Sequence, residues 1–547
     1  MNPTQHRGVV VAGNGVVCAS QPLAVSAGLN ALQNGGTFAD AAIATSAVLC
    51  VTEPYASHLG GDAFLVVYEA ATGKTTALNG SGAAPRAATP DRFASGIALR
   101  GAAAASVPGL VSVWEELHRR WCSRPLKELL QPALRYAESG FAAGYRYCRQ
   151  FSANSQLLKA YPASLAALSG GAIPRPGDLI VQPDLAWSLN QIAEGGCAAF
   201  YHGEIAQRIV ACSQDSGGLF SVQDFTSHRT QVSDPISTTY RGYCVHGQPP
   251  VSQGHILLQE LNLVEQFDLG SMEPAGADAI HVQVEAKRLA FADRAAYLGD
   301  PDYVEVPMEK LLSKSYAAQR ASQIELHRAQ PRVSAGSIEH DTTYFCVADA
   351  SGNAVSFIQS VFWGFGCGVV VPGTGILLNN RMCGFSLDPS SPNCLAPGKR
   401  TAHTLNAYVI TRDVSAPGTE LPATAPATGR LAFVGGTPGG DIQVQSNLQV
   451  ICNLIDSGMN PQEAIELPRW QHGGAVGQPG EPSSETLAVE NRVPETVTAD
   501  LASRGHLIQR IGPWEHGSAY QLLAVHPETG AYLAGSDPRC DGHAAGF

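Results

Sequence analysis

The sequence predicts an α+β protein built from layers of helices and strands. Residues 341–358 are typical of a β-hairpin, because β-branched and aromatic residues lie on both sides of a turn at Gly352 and Asn353. Residues 40–50 form a helix that is apolar on most sides, as expected of a layer buried inside a sandwich. Residues 125–330 are mainly helical, with Pro- and Gly-containing loops between the helices.

Composition limits the classes of partner. The 547 residues are enough for two or three domains or one large layered domain. Hydrophobic residues make up 44% of the chain and charged residues 15%, a composition that argues against extended disorder. A net charge of -12 without a basic run argues against nucleic acid and anionic membranes. The N-terminus resembles neither a signal peptide nor a membrane span, so we expect a cytoplasmic protein. The 13 cysteines form no CxxC pattern, and we expect them to be reduced thiols. The 16 histidines form no HExxH or HxH pattern, so we expect neither a metal nor a cofactor.

The remaining elements follow from capping and breaking signals. Residues 22–33 are predicted to be a helix that begins at a proline, and Asp40 is expected to cap the next helix. The longest predicted helix covers residues 277–298. The polar segment 325–340 and the Pro/Ala/Thr-rich segment 414–429 predict exposed loops.

Thr342 begins the predicted hairpin directly after the first of these loops. Cleavage between Asp341 and Thr342 would make Thr342 a new N-terminus. Its hydroxyl could then attack a substrate, while its own α-amine, with an unperturbed pKa near 7.7–8.0, accepts the proton. The alternative is that Thr342 and Thr343 are two strand threonines that hydrogen-bond across a sheet.

A second candidate feature is the Gly-rich segment 435–441, which joins a predicted strand at 431–434 to a predicted helix at 444–457. Backbone N–H groups gathered at the positive end of a helix are typical of an oxyanion hole. The alternative is an ordinary tight turn between a strand and a helix.

Taken in order, these segments resemble the γ-glutamyltranspeptidase family of N-terminal-nucleophile hydrolases. The resemblance covers nearly the whole chain. Matching segments include Gly35-Gly36, Val107-Pro108-Gly109, Tyr240-Arg241-Gly242-Tyr243, Leu298-Gly299-Asp300-Pro301, Thr342-Thr343 and Pro438-Gly439-Gly440. It implies a four-layer αββα sandwich made as one precursor, whose large subunit 1–341 and small subunit 342–547 stay associated. Whether such heterodimers pair further is left open.

The resemblance also implies catalytic roles. Thr342 would attack a substrate amide to form an acyl-enzyme, and Gly439 and Gly440 would donate backbone N–H groups to the oxyanion. Ser360 falls where the family has a threonine that hydrogen-bonds the nucleophile, and Thr343 would support the α-amine.

The sequence departs from the family pattern in the substrate pocket. The family has an arginine that holds the substrate α-carboxylate, a Gln or Glu and an Asp that hold the α-ammonium, a Ser-Ser pair, and an Asn near the nucleophile. Here Ser81 stands at the position of the arginine, and Arg381 and Gly384 stand at those of the Gln or Glu and the Asp. His403 and Thr404 replace the Ser-Ser pair, and Phe362 replaces the Asn.

These departures predict the substrate class. A guanidinium at position 381 would repel an α-ammonium and attract a carboxylate, so we expect a small carboxylate-bearing amide that lacks an α-amino group. This pattern is similar to the branch with glutaryl-cephalosporin-type acylases and oxamate amidohydrolase of purine breakdown. Narrowing by Phe362 and Trp363 favours oxamate, with water as the acyl acceptor.

Three alternatives remain open at this stage. The protein could be a γ-glutamyl hydrolase or transferase acting on glutathione-like substrates, a glutaryl-type acylase, or a homologue that binds without turnover. Glu53, His58 and His403 could shape the pocket or belong to hydrogen-bond networks in the core.

Overall fold

The computed structural model describes residues 5–330, 341–412, 429–473 and 485–547, and helices and strands fill most of these ranges. The strands are β1 Val10–Ala12, β2 Val16–Ala19, β3 Asp62–Glu69, β4 Lys74–Asn79, β5 Phe141–Ala142, β6 Leu179–Ile180, β7 Gln231–Ser233, β8 Ile236–Tyr240, β9 Tyr243–Gly247, β10 Asp341–Ala348, β11 Ala354–Phe362, β12 Val370–Val371, β13 Ile376–Leu377, β14 Tyr408–Arg412, β15 Leu431–Gly436, β16 Trp470–His472, β17 Thr486–Glu490, β18 Leu507–Ile511, β19 Gln521–Val525, β20 Tyr532–Ser536 and β21 His543–Gly546. The α-helices are α1 Pro22–Gln33, α2 Phe38–Thr52, α3 Leu110–Trp121, α4 Leu126–Ser139, α5 Tyr145–Ala153, α6 Ser155–Ala160, α7 Pro162–Ser169, α8 Pro183–Tyr201, α9 Glu204–Asp215, α10 Val222–Thr226, α11 Gly254–Val264, α12 Ala277–Tyr297, α13 Met308–Leu312, α14 Lys314–Ala321, α15 Ile442–Ile455, α16 Pro461–Glu466 and α17 Glu495–Ser503.

Two antiparallel sheets form the centre of the protein. The first sheet has the strand order β21-β2-β10-β11-β3-β4-β7, and the second has the order β1-β20-β19-β15-β14-β9-β8. One apolar cluster joins the first sheet to helices that include α1, α2 and α4, and another joins the second sheet to α11, α12 and α15. A third cluster lies between the sheets. The expected four-layer αββα sandwich is therefore confirmed.

The central hairpin of the first sheet is apolar on both faces because both faces are covered. β10 and β11 pair antiparallel, with Tyr344 opposite Ile358. Tyr344 and Ile358 face the second sheet, whereas Phe345 and Phe357 stack at 4.5 Å on the side of the helices. Strands buried on both faces lose the usual alternation of exposed and buried residues, and accordingly every residue of β11 is buried.

Most of the predicted elements are present with small shifts at their ends. Helix Pro22–Gln33 is confirmed, the long helix ends at Tyr297 instead of Leu298, and the helix after the Gly-rich segment begins at Ile442 instead of Val444. The expected role of Asp40 is wrong in detail, because Thr37 is the N-cap of α2 and Asp40 lies three residues later in a capping box.

Two of the predicted loops fall largely outside the described residues. Segment 325–340 is described only as far as Gln330, and of segment 414–429 only Gly429 is described. The backbone of Asp341 belongs to β10, but its side chain is also outside the description. Across the ranges given above, no helix is long and apolar enough to cross a membrane.

Candidate active site

Thr342 lies at the start of β10, next to Ser360 on the neighbouring strand β11. The Thr342 hydroxyl donates a hydrogen bond to Ser360 Oγ at 3.2 Å, and the backbone N–H of Phe362 donates to the same oxygen at 2.8 Å. Both hydroxyl residues are buried between the two sheets. The strand pairing and these two hydrogen bonds together hold the Thr342 hydroxyl in one place.

The side chain of Thr343 points to the other face of β10. Its hydroxyl lies 2.6 Å from Ser20 Oγ, which in turn donates to Glu53 at 2.6 Å. Glu53 also accepts from Tyr55 at 3.2 Å. Successive residues of a strand face opposite sides of the sheet, so the structure does not bring the Thr343 side chain together with the Thr342–Ser360 pair.

Arg381 forms a buried ion pair with Asp62, a residue that the sequence analysis did not select. Its Nε and Nη2 groups each donate to an Asp62 carboxylate oxygen at 2.9 Å, and both side chains are about 1% exposed. The guanidinium also stacks over the ring of Phe362, with its Cζ 4.3 Å from the ring centroid. Since Asp62 pairs directly with Ser360 across strands β3 and β11, the ion pair lies next to the Thr342–Ser360 pair.

His403 is the third member of this buried group. Its Nδ1 accepts from the backbone of Leu405 at 3.3 Å, so its Nε2–H donates to Asp62 at 2.8 Å. Burial and the charge of Arg381 lower the pKa of His403 to about 4. Burial alone would raise the pKa of Asp62, but Arg381 and His403 outweigh it and hold this pKa at about 2. At neutral pH the group therefore combines one positive charge, one negative charge and a neutral imidazole.

Asp62 supplies Arg381 with a counter-ion that the sequence analysis did not include. Asp62 neutralises the guanidinium, and both carboxylate oxygens are already engaged. Two polar atoms nearby are left over: Arg381 Nη1 and Thr404 Oγ1 are buried and have no hydrogen-bond partner within the described ranges. Buried polar atoms are normally hydrogen-bonded, so these two atoms are candidates for contact with a ligand.

The ring of Phe362 packs against the backbone at Gly384. Phe362 has a φ of 84°, a backbone conformation that bulky residues rarely adopt, and its ring is buried. A Cβ atom at position 384 would lie 3.6 Å from the tip of that ring and 3.0 Å from Thr401 Oγ1. A side chain at position 384 would therefore touch the aromatic ring and press on the Thr401 hydroxyl.

Ser81 points into its own loop. Its hydroxyl and its backbone N–H both donate to Asn79 Oδ1, at 2.6 and 2.8 Å, and its carbonyl accepts from Arg400 Nε at 3.1 Å. The Ser81 side chain thus stabilises the turn after β4.

The Gly439–Gly440 loop follows β15 and leads into α15. Gly439 and Gly440 have φ values of 120° and 57°, which favour glycine. A Cβ at Gly436, where β15 ends, would lie 2.5 Å from the Tyr344 ring, which places this end of β15 near the start of β10. The Gln253 side-chain amide donates to the carbonyls of Gly440 at 3.1 Å and Thr404 at 2.8 Å, which connects this loop to the His403–Thr404 segment.

Other candidate residues belong to the core. His58 is fully buried, burial lowers its pKa to about 3, and its Nδ1 accepts from the backbone of Leu377. His281, Glu285 and His506 bring three potential metal-ligand atoms within 4.8 Å of one another. His281 and His506 hydrogen-bond each other at 2.8 Å, and Glu285 pairs with Arg288 at 2.9 Å, so protein contacts already account for this group.

The four-layer sandwich, with a threonine at the head of a central strand, is the architecture of N-terminal-nucleophile hydrolases. A family model described as Gamma-glutamyltranspeptidase matches residues 24–547. The chain therefore belongs to the γ-glutamyltranspeptidase family, and its activity is that of an amidohydrolase or acylase of this family.

Individual relatives cover most or all of the chain. The glutathione hydrolase-like YwrD proenzyme of Bacillus subtilis (strain 168) is 38% identical over 542 residues, which is 98% of this chain and 99% of that relative. The acylase ACY 1 proenzyme of Pseudomonas sp. (strain SE83) is 36% identical over 515 residues, 91% of this chain and 87% of the relative. The crystal structure of cephalosporin acylase from Bacillus halodurans superposes with a TM-score of 0.89 at 36% identity, covering 100% of this chain and 98% of that one.

The ion pair yields a prediction about stability. Replacement of Asp62 by Asn should lower the free energy of unfolding by about 3–5 kcal/mol at pH 7, because it leaves a buried guanidinium without its counter-ion. The pKa of Asp62 is about 2 in the folded protein and near 3.8 when unfolded. Its stabilisation is therefore complete above pH 3.8 and disappears as the pH falls towards 2.

Urea unfolding of the parent and the variant between pH 7 and pH 3 measures this difference. The Asp62→Asn/Arg381→Gln double variant serves as the control and should recover part of the loss, because it removes both charges together. Equal stability of the parent and Asp62→Asn at pH 7 would show that the ion pair contributes nothing.

Proposed function

We propose that the chain cuts itself between Asp341 and Thr342 and then hydrolyses a small carboxylate-bearing amide. Thr342 Oγ1 attacks the amide carbonyl, its free α-amine accepts the proton, and the amine product leaves as an acyl-enzyme forms. Ser360 orients the attacking oxygen through the 3.2 Å hydrogen bond. The backbone N–H groups of Gly439 and Gly440 stabilise the oxyanion, and water then releases the acid.

The unsatisfied donor on Arg381 carries the proposal for the substrate. Arg381 Nη1 is buried without a partner among the described residues, and a guanidinium can only donate hydrogen bonds. A substrate carboxylate would satisfy this donor with a charge-assisted hydrogen bond, and Thr404 Oγ1 could donate to the same group. An α-ammonium also only donates, so it would leave Arg381 Nη1 unpaired.

The acceptor side of the pocket leads to the same conclusion. An ammonium group needs carboxylate or carbonyl oxygens, but the oxygens of Asp62 already accept from Arg381 and His403. Gly384 supplies no side chain to replace the family Asp, and the Phe362 ring lies against that position. A substrate without an α-amino group therefore fits this pocket better than a γ-glutamyl compound does.

Oxamate is the substrate that we favour within this class. It is a short acid amide, so hydrolysis would give oxalate and ammonia, as in purine breakdown. The Phe362 ring and the buried Asp62–Arg381 pair fill space beside Ser360, which supports a small acyl group.

A glutaryl-type acylase is the second candidate. It is supported by the likeness to the cephalosporin acylase structure and to the Pseudomonas acylase. A glutaryl group ends in a carboxylate and lacks the α-amino group, so it satisfies the same unpaired donor. The length of the acyl chain is what distinguishes the two candidates.

Self-cleavage can be tested by the intact mass of the purified protein. The parent should give two fragments, one of which begins at Thr342, and Thr342→Ala should give a single uncut chain, because it lacks the nucleophile. Thr343→Ala is the matched control and should still be cut, since the Thr343 side chain lies on the other face of the strand. A cut parent and an equally cut Thr342→Ala variant would exclude Thr342 as the nucleophile.

The substrate site can be tested with Arg381→Gln. We expect kcat/KM for oxamate or glutaryl amides to fall roughly 10- to 100-fold, the value of one charge-assisted hydrogen bond. Because the single variant leaves Asp62 without its counter-ion, the Asp62→Asn/Arg381→Gln variant should be measured beside it. Parental kcat/KM for the acid amides in both variants would remove Arg381 from the substrate site.

A further inference from the structure

Three side chains, of which Gln253 and Asp441 are buried and Arg294 is partly exposed, connect the Gly439–Gly440 loop to the rest of the site. Arg294 on α12 donates to both carboxylate oxygens of Asp441, at 2.5 and 2.9 Å, and to Gln253 Oε1 at 2.8 Å. The Gln253 amide in turn holds the carbonyls of Gly440 and Thr404. We call Arg294, Gln253 and Asp441 the Arg294 cluster.

Asp441 lies where an unpaired carboxylate would work against the proposed chemistry. It directly follows Gly440 and is the N-cap residue of α15, but its side chain makes no capping hydrogen bond. A free carboxylate beside the Gly439 and Gly440 amides would repel a developing oxyanion. Arg294 neutralises this charge with a two-point ion pair, and its stacking on the Phe291 ring at 4.2 Å fixes the guanidinium.

We propose that Arg294 is a positioning residue for the oxyanion site. Through Asp441 it fixes the first turn of α15, and through Gln253 it fixes the carbonyl of Gly440, so the loop amides keep their direction. This inference rests on the proposed function, because it assumes that the loop stabilises an oxyanion. Arg294 contacts neither Thr342 nor Arg381 in the hydrogen bonds of the described residues, so it acts through the loop.

The cluster also links the two proposed subunits. Arg294 and Gln253 precede the cleavage position, whereas Asp441, Gly440 and Thr404 follow it. After cleavage, the large subunit would therefore hold the oxyanion loop of the small subunit in place. This gives the large subunit a direct part in the reaction in addition to its share of the core.

Arg294→Met tests the inference, because it keeps the length of the side chain and removes the ion pair. We expect kcat to fall roughly 10- to 100-fold, somewhat less than the loss of a whole oxyanion donor, while KM changes less than about threefold. Arg294→Lys should retain more activity than Arg294→Met, since it keeps the charge. All rates are divided by the fraction of protein that has been cut at Thr342, measured by intact mass.

Arg241→Met is the matched control. Arg241 forms an ion pair with Asp456 at 3.1 Å, at the opposite end of the same helix α15, and this pair also joins the two proposed subunits. The control should lower stability but leave kcat near the parental value. Arg294→Met/Asp441→Asn gives a second test, because it also removes the carboxylate that Arg294→Met leaves unpaired. Its kcat should be at least threefold above that of Arg294→Met, and an equal kcat would contradict the neutralising role of Arg294. If Arg294→Met folds poorly, Arg294→Lys is compared with the parent instead, and parental kcat in a correctly cut Arg294→Lys variant would overturn the role of the two-point ion pair.

The outcomes separate the two proposals. An active parent with an equally active Arg294→Met variant overturns the role of Arg294 and leaves the proposed function intact. An equal loss of kcat in Arg241→Met would also overturn it, since the effect would then be general loosening of the subunit contact. A parent that hydrolyses no acyl amide overturns the proposed function, and the role of Arg294 with it.

Discussion

The proposed site depends on a buried ion pair between Asp62 and Arg381. A buried ion pair is stable only when its hydrogen bonds offset the cost of removing both charges from water. Here the Asp62 carboxylate accepts two hydrogen bonds from Arg381 and one from His403. The pair also supports Phe362, whose backbone N–H fixes Ser360 beside Thr342. The position of the proposed nucleophile and the character of the pocket therefore depend on the same interaction.

The departures from the family pattern act as one unit. Arg381 stacks on Phe362, the ring of Phe362 lies against Gly384, and His403 completes the shell of Asp62. Restoring an Asp at position 384 alone would bring its side chain against the aromatic ring. We therefore expect that converting this pocket into one for γ-glutamyl compounds would need several coordinated substitutions.

Much of the fold could be predicted from the sequence because the signals are local. The hairpin at 341–358 and helix α1 are encoded by turn residues, prolines and apolar runs. Asp62 could not be found in this way, because an acidic residue at the start of a strand has no distinctive pattern, and Arg381 lies 319 residues further along the chain. The counter-ion of Arg381 was missed for the same reason, since a partner from a distant segment is visible only in the folded protein.

The most direct test of the account compares two anilides that differ only in the α-amino group: glutaryl p-nitroanilide and L-γ-glutamyl p-nitroanilide. The ratio of their kcat/KM values reports on that group alone, because the leaving group and the chain length are the same. If the Arg381 donor is left unpaired in the pocket, we expect the ratio to favour the glutaryl compound by at least tenfold. Faster turnover of the γ-glutamyl compound would contradict the account, because the pocket would then have to hold an ammonium group.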